Sequence, residues 1–188
     1  MQKKRVITLS GLPGAGKSST ADLVAEMLGY RRFSSGDFMR AIAKKHDVSL
    51  DEINRMAESD KTYDREVDEM VRETGRKSDI VIDSRLAFHW IPDSFKVFLK
   101  VDPHAAAERT FIHIREVGRA QQDAESLEEV YQKLVARIES ENKRYEELYG
   151  VNYADESRYD LVIDTELFSL EEVAKQIVDA YKKWLESV

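Results

Sequence analysis

Short apolar runs alternate with longer amphipathic stretches along this chain, the rhythm expected when strands and helices are taken in turn. Val6–Ser10 is a buried-type strand that ends at Gly11. A helix is expected from Ser18 to about Leu28, with Gly29 as its stop. Arg32–Ser34 reads as a brief second strand. Residues 37–75 read as short polar helices with starts near Ser49 and Thr62 and a stop at Gly75. Ile80–Asp83 and Phe95–Val101 are the third and fourth strands. Asp102 and Pro103 open the next helix, because aspartate caps it and proline is pre-shaped for the first helical position. Ser126-Leu127-Glu128-Glu129 is a capping-box pattern for a long helix that stops before Gly150. Leu161–Asp164 is a fifth strand, and a helix over Leu170–Trp184 closes the chain. Such alternation predicts an α/β fold of three layers: a five-stranded parallel sheet with helices on both faces. The 188 residues are expected to form one domain, with insertions at 37–75 and 115–125.

Composition narrows the picture. Hydrophobic residues make up 42% and charged residues 35%, enough for a sizeable core and too apolar for a disordered chain. The absence of cysteine excludes disulfides and thiolate metal sites, and it fits a cytoplasmic protein. The apolar run after the basic start Met1–Arg5 is too short for a leader or a membrane span, so no membrane partner is expected. A net charge of −7 argues against nucleic acid as a partner. The chain is expected to act as a monomer, although the packing helix at Leu170–Trp184 would also serve a dimer surface.

The strongest chemical signal is Gly11-Leu12-Pro13-Gly14-Ala15-Gly16-Lys17-Ser18, which fits G-x-x-x-x-G-K-[ST] between a strand and a helix. Glycines allow backbone N–H groups to turn inward around a β-phosphate, where side chains would collide. Gly11, Gly14, Ala15, Gly16, Lys17, Ser18 and the following Ser19 are therefore the expected nucleotide contacts. Lys17 would neutralise charge at the β/γ bridge, and the Ser18 hydroxyl would ligate Mg²⁺. The helix beginning there adds the positive end of its dipole. ATP and Mg²⁺ are thus the expected cofactors. Three strands end in aspartate, at Asp83, Asp102 and Asp164. Asp83 is favoured as the second magnesium residue because Arg85 stands two residues beyond it.

Competing nucleotide chemistries fit less well. A motor ATPase would carry an acid after the strand aspartate, where Ser84 stands. A GTPase would need N-K-x-D, and Asn142-Lys143-Arg144-Tyr145 has tyrosine in the last place. Phosphoryl transfer needs little covalent help and much charge stabilisation, which gives a role to the arginines. Arg137 and Arg144 are seven residues apart on the Ser126–Tyr149 helix and share one stripe beside Leu127, Leu134, Ile138 and Tyr145. The alternative is a solvated face paired with Glu139, Glu141 and Glu146. Arg109, Arg115 and Arg119 flank a polar stretch around Gly118 that is suited to closing over phosphates. The four histidines are scattered, and Trp90 reads as core packing.

These motifs, in this order, resemble the nucleoside monophosphate kinases, and most of all the compact archaeal cytidylate kinases. Ser34-Ser35-Gly36-Asp37-Phe38-Met39-Arg40 is similar to the family's D-S-G-x-x-Y/F-R segment, which implies that Ser35, Gly36 and Arg40 hold the monophosphate. Asp83-Ser84-Arg85 resembles its D-G-R, implying Asp83 near magnesium and Arg85 on the acceptor phosphate. Glu108-Arg109 resembles the start of its lid, here 109–125, with Arg109 toward the nucleotide, and residues 37–75 resemble its monophosphate-binding insertion. Arg137 and Arg144 resemble its paired lid arginines, and with Lys17 and Arg85 they are the expected catalytic residues. Ser34 replaces an aspartate and Ser84 a glycine, and Asp64, Arg65 and Asp68 are candidates for reading the acceptor base. The resemblance implies transfer of the γ-phosphoryl of Mg·ATP to CMP or dCMP. The alternatives are an AMP, UMP or shikimate-type acceptor, or a nucleotide-binding regulatory module; acceptor-dependent ADP release separates the last from a kinase.

Overall fold

Val6–Gly11 (β1) is buried at every position and forms the middle of the sheet. In the computed structural model, which describes residues 4–116 and 126–187, five parallel strands take the order β2-β3-β1-β4-β5. The others are β2 (Arg31–Ser34), β3 (Ile80–Asp83), β4 (Phe95–Lys100) and β5 (Leu161–Asp164). The register pairs Leu9 with Asp83 on one side and Gly11 with Leu99 on the other. Chain order reverses around β1, so the carboxyl ends of β1, β3 and β4 open a crevice of the kind that binds ligands in parallel α/β sheets.

Alternation along the strands decides which helices cover which face. Ile7, Leu9, Val81, Val97, Leu99 and Ile163 pack with α1 (Lys17–Leu28) and α8 (Leu170–Glu186). Their neighbours Val6, Ile80 and Ile82 point the other way, into α2 (Ser35–Lys45), α3 (Leu50–Ser59), α4 (Thr62–Gly75) and α5 (Ala87–Trp90). Phe98 and Val162 join Leu86, Phe88, Val151 and Tyr153 beside α7 (Leu127–Tyr149). The remaining helix, α6 (Pro103–Glu116), follows β4. Capping boxes fix the starts of α3, α7 and α8 at Ser49, Ser126 and Ser169, and left-handed Gly29 and Gly150 close α1 and α7.

Several details differ from the expectation. The first helix of the 37–75 insertion starts at Ser35, because the Ser34 hydroxyl accepts the Gly36 N–H as a cap. Leu127 is exposed and does not extend the apolar face of α7. Gly75 does end α4, but its role is close packing: a Cβ there would meet Ile91 Cδ1 at 2.5 Å.

Candidate active site

The phosphate loop is shaped by what surrounds it. Gly11 has φ of +147°, and a Cβ there would lie 2.3 Å from the Leu99 carbonyl oxygen. Gly14, at φ +79°, would drive a Cβ into Ala106 of α6 at 2.8 Å. Only glycine lets the turn pass between β4 and α6. Ala15 is buried, whereas Gly16, Ser18 and Ser19 are exposed at the start of α1. Lys17 folds back over the loop, donating to the carbonyls of Gly11 at 2.9 Å and Leu12 at 2.8 Å. Burial first, then the Arg85 guanidinium, pushes its ammonium from the usual lysine range down to about 7.

Asp83, at the end of β3, is buried beneath this loop. It accepts from Ser18 Oγ at 2.7 Å, while Arg32 Nη2 stands at 3.4 Å and Ser34 Oγ at 3.5 Å. Of the three strand-end aspartates, Asp83 alone meets the phosphate loop; Asp102 caps α6 at His104, and Asp164 accepts from Glu166 N. Magnesium prefers hard oxygen ligands, uses one or two protein groups and takes the remainder from water and phosphate. The paired oxygens of Ser18 and Asp83 fit that preference.

A second group of charges meets this loop from α7. Glu141, on α7, is buried and places its carboxylate between two arginines. Arg85 Nε is 2.5 Å from Oε2, and Arg137 Nε is 2.9 Å from Oε1. Burial alone would raise the Glu141 carboxyl, but Arg85 and Arg137 outweigh it and hold it below the usual range. Tyr145 and Tyr153 enclose Arg85, with the guanidinium 6.0 Å from the Tyr153 ring centre. Lys17 feels Arg85 and Arg137 as repulsion and Asp83 and Glu141 as attraction, so loop and helix form one electrostatic site. Of the acids proposed for the surface-pair alternative, Glu141 alone touches these arginines, and it is buried rather than solvated.

Arg144 turns from α7 toward the insertion, with Nε 2.8 Å from Asp64 Oδ2 on α4. Both side chains are nearly buried. Burial lifts the Asp64 carboxyl to about 6, against the pull of Arg144 and with the push of Asp68 and Glu141. Tyr145 and Tyr149 of α7 complete its titratable surroundings. A carboxyl with a folded value above its unfolded one binds its proton more tightly when folded. It therefore adds stability at low pH and loses it as pH rises from about 4 to about 6. Relative to Asp64→Asn, the wild type should lose stability between about pH 4 and about pH 6 and level off above. Urea midpoints across that range check this; a wild type that gains on the variant as pH rises would contradict it.

The acceptor-side residues are only partly gathered. Ser35 and Gly36 form the first turn of α2, while Arg40 lies exposed and paired with Asp37, which also takes Arg32 at 2.7 Å. No contact joins Arg40 to the Arg85–Glu141 cluster among the described residues. Arg109 donates to the Thr165 hydroxyl at 3.0 Å and carbonyl at 2.7 Å, three residues beyond the Ala106 that abuts Gly14. Arg115 is exposed over the Phe111 ring, and Gly118, Arg119 and the rest of 117–125 lie outside the described residues. Arg65 is exposed, and Asp68 is occupied by the Trp90 indole N–H at 3.0 Å and the Tyr149 hydroxyl. Trp90 is half-buried under the Arg72 guanidinium, 3.7 Å from its ring centre. Sequence reasoning missed Glu141 as a site residue, naming it only as a surface partner of the arginines. Its spacing of four from Arg137 was the available signal.

The strand order and the loop between β1 and α1 place the protein among the P-loop kinase folds. A shikimate kinase from Acinetobacter baumannii superimposes with a TM-score of 0.64 over 97% of this chain and 95% of that one, at 17% identity. The chain belongs to the cytidylate kinase-like family, whose profile matches residues 6–167. A cytidylate kinase of Desulfurococcus amylolyticus is 39% identical over 181 residues, 94% of each chain. An S-adenosylmethionine-dependent nucleotide dehydratase of Lacinutrix mariniflava is 34% identical over 184 residues, 96% of this chain but 36% of that protein. Archaeal cytidylate kinases match at 31–39% identity across most of the chain. Among the described residues, no helix is long and apolar enough to cross a membrane.

Proposed function

We propose that this kinase transfers the γ-phosphoryl group of ATP to a nucleoside monophosphate, CMP or dCMP, giving CDP or dCDP. The observation that carries the reading is the pairing of Arg85 and Arg137 on one buried carboxylate, Glu141, within electrostatic reach of Lys17 on the phosphate loop. Two guanidiniums on one acid leave an excess of positive charge, which phosphate groups would balance. The choice of acceptor follows the names of the archaeal relatives.

In this mechanism the backbone amides of Gly14–Ser19 and the α1 N-terminus hold the β-phosphate. Lys17 leaves the Gly11 and Leu12 carbonyls and takes the β/γ oxygens, where an anion restores its charge. Ser18 and Asp83 would hold Mg²⁺, which when bound would screen charge on the phosphate oxygens. Ser35, Gly36 and Arg40 bind the acceptor phosphate from α2, and Arg85 receives it from the end of β3. Arg137, joined by Arg144 once it parts from Asp64, stabilises charge that spreads over the transferring group. Arg109, fixed at Thr165, borders the nucleotide. The acceptor oxygen is already ionised, so no side chain need remove a proton.

The test is ADP release by the purified protein with Mg·ATP against CMP, dCMP, UMP, AMP, GMP and shikimate. Release in step with CMP or dCMP supports the reading. Release in step with another monophosphate moves the acceptor and keeps the mechanism. Shikimate alone, or slow acceptor-independent hydrolysis, overturns it.

A further inference from the structure

Both arginines that face the phosphate loop reach Glu141 through the same atom. Arg85 and Arg137 each present Nε to a different oxygen of that carboxylate. Arginine carries five N–H donors in a rigid fork, and Nε lies at its root. An acid that takes Nε leaves the outer edge of the fork, with its two amino groups, to meet another anion. We propose that Glu141 is a positioning residue for phosphoryl transfer: it sets Arg85 and Arg137 in a fixed relation, so that two forks are offered to acceptor and transferring phosphate together. The inference rests on the kinase reading of the same site.

Two features separate this role from that of a mere stand-in for phosphate. Glu141 lies one turn from Arg137 on α7, so acid and base travel together whenever that helix shifts. The Arg144–Asp64 pair, by contrast, joins α7 to α4 and must part if the insertion moves away. Burial is the second feature. Glu141 is 6% exposed, with Oε1 accepting from Arg137 Nε and Oε2 in ion-pair contact with Arg85 Nε but without a hydrogen bond. The Arg137 side chain is 55% exposed at the margin of the site. The carboxylate is the fixed member and Arg137 the one that reaches outward. Arg85, on the loop after β3, is held from behind by the same acid and by Tyr145 and Tyr153.

Glu141→Gln keeps the shape of the side chain and removes its charge. With CMP as acceptor, kcat/KM should fall about 10–100-fold, the scale of misplacing a reacting group by an ångström. The KM for ATP should stay within about threefold. In an Arg137→Ala background the same substitution should cost less, because part of its effect runs through Arg137. If Glu141→Gln does not fold, Glu141→Asp, which keeps the charge but withdraws it by one methylene, is measured in the same way. Lower melting temperature with unchanged kcat and KM would reduce Glu141 to a structural acid and overturn the inference. A lower KM for CMP would overturn it too, since the carboxylate would then be competing with the acceptor. If the wild type phosphorylates no monophosphate, the kinase reading fails and takes this inference with it; an active wild type beside an unaltered variant sinks the inference alone.

Discussion

Replacing Lys17 with alanine should lower kcat about 10²–10³-fold or more, the scale of losing one preorganised group that meets developing charge. No other side chain of the Gly11–Ser18 loop carries positive charge to the β/γ bridge. The stability of the free protein should move the other way or not at all. The Lys17 ammonium is held at about 7 by burial and by Arg85, so at neutral pH its charge is a burden on the free protein. Melting curves with and without nucleotide separate the two effects. The variant should match or exceed the wild type when free, and lose the upward shift that ATP gives the wild type. Near-normal turnover would remove Lys17 from the mechanism; a large drop in free-state stability would mean its bonds to Gly11 and Leu12 matter more than its charge.

Arg85→Ala should cut kcat/KM for the acceptor by about 10³-fold, in line with single arginines in phosphoryl transfer. The KM for ATP should change far less. The variant also leaves Glu141 as a buried carboxylate with one partner fewer. Breaking such a pair costs about 3–5 kcal/mol, which a urea midpoint would register. Arg85→Lys restores charge without the fork, so it should recover stability more than rate. A larger effect on ATP than on acceptor would reverse the assigned role.

Much of this was legible in the sequence because it is local. The phosphate loop is a contiguous signature, and the strands announce themselves by apolar runs that end at Gly11, Asp83 and Asp164. Caps at Ser126 and Gly29 need only neighbours a few residues away. Helix α2 was harder, because Ser34 serves as both strand end and cap while Gly36 in the first turn reads as loop. The pairing of Arg85 with Glu141, and of Asp64 with Arg144, depends on how α4 and the β3 loop come to lie against α7. Nothing in the spacing of those residues specifies it. The same holds for Asp68, whose partners Trp90 and Tyr149 come from two further elements. Two of the three candidates for reading the base thus have tertiary partners the sequence did not indicate, Asp64 an arginine and Asp68 the Trp90 and Tyr149 donors.

Helix α7 is a shared rod. Along it, Arg137 and Glu141 meet Arg85 beside the phosphate loop, while Ser140 bonds Glu58 at 3.0 Å, Arg144 meets Asp64, Glu147 lies 3.8 Å from Lys61, and Tyr149 reaches Asp68. The 37–75 insertion, proposed to admit the acceptor, is thus fastened to the element that carries Arg137 and Arg144. Evolution has little room here to tune partner choice and speed as separate traits. A change that reseats this rod to welcome a different molecule also moves the groups that act on it.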